Sequence, residues 1–157
     1  MQEVRRVISV IAMNESSVLA RVSGLFAGRG YNIESLTVAP IPKSNLSRFT
    51  IVTKGNAKVI EQITKQLNKL ISTLKVIEQD ENMVEKEMVL IKFSSNESLS
   101  DIKALCDAYN GGIVNAGENS VIAMVADESK RVEYFISAAQ RYNPLEIVRG
   151  GVVAIER

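Results

Sequence analysis

Histidine and tryptophan are absent from the chain, cysteine occurs once, and aromatic residues make up only 5% of it. Each shortage removes a class of function. Without histidine there is no imidazole base, no imidazole zinc ligand and no Ser-His or Cys-His nucleophile pair. A single cysteine, Cys106, excludes an internal disulfide and a cysteine-cluster metal site. So few aromatics leave no platform on which nucleic-acid bases could stack. The 19 basic and 18 acidic residues are interspersed and sum to a net charge of +1, so the clustered basic surface of a nucleic-acid binder is missing too. The phosphate-cradling patterns GxxxxGK(S/T) and GxGxxG do not occur. The apolar run over residues 7–13 is too short to span a bilayer and leads into a polar turn, not a small-residue cleavage site. It reads as the first strand of a cytoplasmic protein without membrane association.

What the chain does have is 46% hydrophobic residues, enough for a packed core, set in a pattern that occurs twice. Residues 5–13 form a β-rich run. Val18, Leu19, Val22, Leu25 and Phe26 then mark one helical face, which Asn14 or Ser16 can cap and which Gly30 suits as a left-handed stop. A strand over 32–41, a proline-punctuated turn over 40–45 and a strand over 47–53 follow. Beyond Gly55-Asn56, Val59, Ile60, Ile63, Leu67, Leu70 and Ile71 mark a second amphipathic helix, and residues 72–78 close with a strand. The acidic stretch EQDENMVEKE, 78–87, reads as a linker. The order then recurs. A strand covers 86–94, and a helix with Leu99, Ile102, Leu105, Cys106 and Tyr109 on one face stops at Gly111-Gly112. A hairpin turns about Glu118-Asn119, and Asp127 caps a last helix that ends at Asn143-Pro144. Residues 145–149 supply the closing strand, with 151–156 as a further candidate.

The expected fold is therefore α+β: two ferredoxin-like βαββαβ domains, residues 1–78 and 79–157, each an antiparallel sheet with both helices on one face. Apolar residues on both sides of the strands, as at Val7-Ile8 and Val10-Ile11, predict that the second sheet face is covered as well, by another sheet or subunit.

One junction offers recognition chemistry. MNESSV, 13–18, joins the first strand to the first helix, whose opening turn carries unpaired N–H groups and a positive dipole end that suit a carboxylate. Ser16 and Ser17 are small enough for a ligand to reach the backbone. Asn14 and Asn32 each offer an amide that accepts from an ammonium and donates to a carboxylate. Val18, Leu19 and Ile33 would line a small apolar pocket. Together these residues would recognise a zwitterion with an aliphatic side chain, that is, a free amino acid. An asparagine such as Asn14 is more often simply a helix cap, and one such as Asn32 a turn residue after a glycine stop, and the residues alone leave both readings open.

The stretches RRVISVIAMNES, RVSGLFAGRGYNIESLTVAP and LSRFTI closely resemble the small regulatory subunits of acetolactate synthase, also called acetohydroxyacid synthase. The likeness is strongest over residues 5–80 and looser beyond, through EKEMVLIKF and VRGGVVAI. The resemblance implies an N-terminal ACT domain, the βαββαβ amino-acid sensor, paired side by side in a homodimer. Valine or another branched-chain amino acid would bind at the seam. It implies no catalytic site and no cofactor in this chain. It also implies a large catalytic partner that carries thiamine diphosphate, Mg²⁺ and usually FAD, whose activity the small subunit raises and places under end-product inhibition. Carried over by position, Asn14 matches the family's asparagine at the ligand loop, and Asn32-Ile33 the pair contributed across the dimer. Ser17 stands where the family commonly has glycine. An ACT sensor serving a different enzyme is the alternative. An acyl-phosphate hydrolase would need an arginine in MNESSV, and an RNA-binding sheet would need aromatics that VISVIA and KEMVLIKFS lack apart from Phe93.

Overall fold

The β-branched-rich N-terminal run builds β1 (Val4–Met13), which lies antiparallel to β3 (Leu46–Gly55) over ten consecutive residue pairs, from Val4 opposite Gly55 to Met13 opposite Leu46. The computed structural model describes residues 2–157. They fall into two units, the residues up to Val84 together with Val152–Arg157, and Glu85–Gly151. In the first unit β1 is followed by α1 (Ser16–Gly28), β2 (Ile33–Pro40), β3, α2 (Ala57–Lys69) and β4 (Thr73–Gln79). The sheet order is β2-β3-β1-β4, which makes the unit a βαββαβ fold with β2 on an edge. Ile8, Val10, Phe49 and Ile51 on one sheet face pack against Val22 and Phe26 of α1 and Ile63 and Leu67 of α2. Burying a side chain of this size stabilises by about 1.5–3 kcal/mol.

The helix ends show how local chemistry sets the chain's path. At the end of α1, Gly30 adopts φ +67°, its N–H donates to Ala27 O, and Tyr31 N–H donates to Phe26 O. This pair of bonds is a Schellman closure, and its usual hydrophobic contact is here the edge-to-face pair of Phe26 and Tyr31. The start of α1 differs from expectation. Glu15, not Asn14 or Ser16, occupies the cap position, and no side chain caps the helix. In α2, Asn56 does cap, accepting from Val59 N–H at 3.0 Å. Ile71, expected on the α2 face, lies beyond the helix and is 73% exposed, because Leu70 has already left helical geometry. The acidic stretch expected as a linker is a tight turn closed by Asp80 Oδ1 on Asn82 N–H, between β4 and β5 (Met83–Ser94).

On the opposite face of the first sheet, Val7 and Val52 are covered by Val152 and Ala154, with Met83 alongside. Val152 N–H donates to Ser35 Oγ of β2 at 3.1 Å. The chain's own end thus covers part of a face that the sequence assigned to another sheet or subunit. Residues 151–156 hold β9 (Val153–Glu156), which pairs with β5, while the closing strand of the second repeat is β8 (Glu146–Arg149).

In the second unit β5 is followed by α3 (Leu99–Asp107), β6 (Gly111–Ala116), β7 (Ser120–Asp127), α4 (Ser129–Ala139), a 3-10 turn (Gln140–Tyr142) and β8, in the order β6-β7-β5-β8. Val89, Ile91, Phe93, Cys106, Val125 and Phe135 are central to its core. Asn110, not Gly111-Gly112, takes the left-handed position after α3, at φ 55°. Gly111 is needed for a different reason: a Cβ there would lie 2.5 Å from Met124 O across the hairpin.

Asp127, expected as a helix cap, is instead the last residue of β7, and Glu128 takes the cap position. Its buried carboxylate accepts from Arg131 Nε at 2.6 Å, Glu128 N–H at 2.8 Å and Lys86 Nζ at 3.2 Å. Burial pushes its pKa up, but the bonds from Arg131, the Glu128 amide and Lys86 together outweigh this and hold it below the usual 3.8. A lowered carboxylate pKa contributes stability that is full above the unfolded value and lost as pH falls through the folded one. Asp127→Asn is therefore expected to lower stability by about 1–3 kcal/mol near neutral pH. The gap to wild type should close as pH drops below about 4. Urea unfolding followed by tyrosine fluorescence checks this, since Tyr109, Tyr134 and Tyr142 all lie in the second unit.

Candidate functional site

The β1–α1 junction presents its polar groups outward. Asn14 is exposed; its N–H donates to Asn45 O at 2.8 Å and its Oδ1 accepts from Ser47 Oγ at 3.0 Å. With the oxygen engaged, the Nδ2 amide group remains free to donate. Ser16 and Ser17 open α1, both exposed, with no acidic residue in the first turn. Glu15 carries the only carboxylate at this junction, and Ser72 Oγ draws it aside at 2.9 Å. The opening N–H groups of α1 therefore meet no capping side chain, and an incoming carboxylate finds donors there. Val18 points into the core at 1% exposure, whereas Leu19, at 45%, is the apolar side chain left on the surface.

Asn32 lies between the Schellman closure and β2. Its side chain is exposed, and its carbonyl accepts from the buried Thr53 Oγ1 at 2.6 Å. Ile33 is half-buried and packs on the core beside Tyr31. The ladder shifts register between Ile33 and Ser35, a bulge around Glu34. Glu34 itself is held by Lys54 at 2.8 Å and is not a free acid.

Within one chain the two asparagines are far apart. Met13 is level with Leu46 and Ile33 with Thr53, seven residues along β3, or roughly 23 Å at about 3.3 Å per residue. The structure thus brings Asn14, Ser16, Ser17 and Leu19 together at one end of the sheet and sets Asn32 and Ile33 at the other. Two clefts of the first unit, of about 430 and 390 Å³, are lined by neither asparagine.

Two buried hydroxyls escape a search for exposed polar residues. The inward face of β3 reads Ser47, Phe49, Ile51, Thr53, with apolar residues in the middle and a hydroxyl at each end. That interruption of an apolar face is the sequence signal.

Elsewhere Cys106 is wholly buried, and burial above all, with Asp107 beside it, pushes its thiol pKa up, away from nucleophilic use. Among the described residues no three His, Cys, Asp or Glu side chains group to hold a metal, and no helix is long and apolar enough to cross a membrane.

Two family models match the chain: the AHAS small subunit-like ACT domain over residues 8–75, and the small subunit of acetolactate synthase over residues 86–157. A probable acetolactate synthase small subunit of Archaeoglobus fulgidus is 43% identical over 154 residues, covering 98% of this chain and 97% of that protein. The small subunit of acetolactate synthase isozyme 3 of Escherichia coli is 40% identical over 156 residues, covering 98% and 96%. The crystal structure of the acetolactate synthase small subunit of Thermotoga maritima superposes with a TM-score of 0.89 at 37% identity, covering 100% of this chain and 98% of that one. With an ACT domain at its N-terminal end and likeness along nearly its whole length, the chain belongs to the acetolactate synthase small-subunit family.

Proposed function

We propose that this chain is the regulatory subunit of an acetolactate synthase, without a catalytic site of its own. It docks on a large catalytic subunit, raises that subunit's activity and makes it sensitive to valine, leucine or isoleucine. Thiamine diphosphate, Mg²⁺ and FAD belong to the catalytic partner in this reading. The observation that carries it is the near full-length likeness to small subunits of this enzyme, ACT domain included.

The ligand would sit between two copies of the first unit. Among the described residues β2 pairs only with β3, so its outer edge has free backbone groups. A two-fold axis beside that edge sets two β2 strands antiparallel. This reverses the sheet ends and carries Asn32 and Ile33 of one copy to the end where its partner has Asn14, Ser16, Ser17 and Leu19. The α1 amides and Asn14 Nδ2 would take the amino acid's carboxylate, Asn32 its ammonium, and Leu19 and Ile33 its aliphatic side chain, with Val18 beneath. Ser17 adds a Cβ and hydroxyl where the backbone must come close to the ligand, and this sets how large an amino acid fits.

Mixing the chain with a catalytic subunit is expected to increase acetolactate formation, and valine, leucine or isoleucine to reduce it several-fold, in line with couplings of about 1–3 kcal/mol. An enzyme rate indifferent to the chain sinks the proposal. Asn32→Ala is expected to weaken amino-acid binding roughly tenfold by calorimetry, the worth of a hydrogen bond to a charged group, while light scattering still shows a dimer. Unchanged affinity removes Asn32 from the site.

A further inference from the structure

We infer that Ser47 and Thr53 are positioning residues for amino-acid binding: two buried hydroxyls, at opposite ends of the inward face of β3, that aim Asn14 and Asn32. The inference rests on the shared-site reading above and adds residues that the reading does not contain.

Ser47 is 3% exposed and Thr53 0%, and both face the same side of β3 as the core residues Phe49 and Ile51. A hydroxyl buried at such a place costs stability unless it is bonded. Each is bonded, and each chooses a partner at one of the two asparagines. Ser47 Oγ donates to Asn14 Oδ1 at 3.0 Å. An amide whose oxygen is held this way has its Nδ2 group turned outward, the face that donates to a carboxylate. Thr53 Oγ1 donates to the Asn32 carbonyl at 2.6 Å. That bond pins the peptide between the left-handed Gly30 and the register shift at Ile33. Neither hydroxyl reaches the surface, so neither touches ligand. Each acts through the asparagine that it holds.

Because β3 is one strand, the two grips are set by one register. Under the two-fold pairing each site takes Asn14 from one copy and Asn32 from the other, so every site depends on Ser47 of one β3 and Thr53 of its partner's.

The test is calorimetric titration of the full-length chain with L-valine. Ser47→Ala and Thr53→Val are each expected to weaken binding about three- to tenfold, the worth of one orienting hydrogen bond, with the dimer intact by light scattering. Thr53→Ser keeps the hydroxyl and is expected to restore affinity. Ser47→Ala placed on Asn14→Ala is expected to cause no further loss, because the group it aims is gone. A merely structural role would give additive losses and no rescue. If Asn14→Ala and Asn32→Ala weaken binding but Ser47→Ala does not, or if its effect adds fully to that of Asn14→Ala, the positioning role is overturned and the site stands. If the asparagine variants bind as wild type, the site reading fails and this inference falls with it. Should Thr53→Val not fold, the Ser47 cycle and Thr53→Ser decide.

Discussion

The register of β3 against β1 is the constraint on which the first unit depends. Ten residues pair without interruption, and side chains alternate with period two, so a slip of one residue would turn Phe49 and Ile51 out of the core and Arg48 and Thr50 into it. Core packing therefore forbids a slip by one residue or any odd number. The same choice that buries Phe49 and Ile51 also buries Ser47 and Thr53, because all four lie on one face. Hydrophobic packing in the middle of the strand thus sets the position of the polar groups at its ends. Precision at the candidate site is inherited from the core, and it costs no separate scaffold.

Much of the architecture was legible because the physical signals were local. The 3.6-residue periodicity of α2, the alternation of β3 and Gly30 after α1 each involve neighbours in sequence, and all appear in the structure. The misreadings have the opposite character. Asn14 reads as a cap, but its amide is held by Ser47, 33 residues away. Asp127 reads as a cap, but Lys86, 41 residues earlier, joins Arg131 in holding its carboxylate at the end of a strand. The acidic stretch looked like a linker because its composition is polar, yet one Asx turn suffices to join two strands there. Val152 and Ala154 follow the second repeat in sequence yet cover Val7 and Val52 of the first sheet, since nothing in an apolar tail says which face it will cover. Long-range partners decided each of these, and no window of sequence contains them.

The asparagines show the limit in another form. Their types and positions are readable in the sequence. Their separation of roughly 23 Å in one chain follows only from strand order, since at about 3.3 Å per residue the ladder puts them at opposite sheet ends. A pattern of site residues that cannot meet within one copy is itself informative. It turns a question about ligand into one about assembly, and the open edge of β2 is where the proposed two-fold pairing would answer it.

The proposed division of the site between two copies carries a thermodynamic consequence. In that proposal neither half alone would satisfy both ends of an amino acid, so the ligand's free energy would go largely into the arrangement of two copies that completes the site. A ligand shifts an equilibrium only by its difference in affinity for the two states, and the proposed division of the site would make that difference nearly the whole of the affinity. Reciprocity would follow in that proposal: whatever holds the paired arrangement, a docked catalytic subunit included, would change the affinity for the amino acid by the same factor that the amino acid changes the docking. Control of an enzyme from outside its active site then needs no wire through the protein, only two surfaces that prefer different arrangements of the same pair.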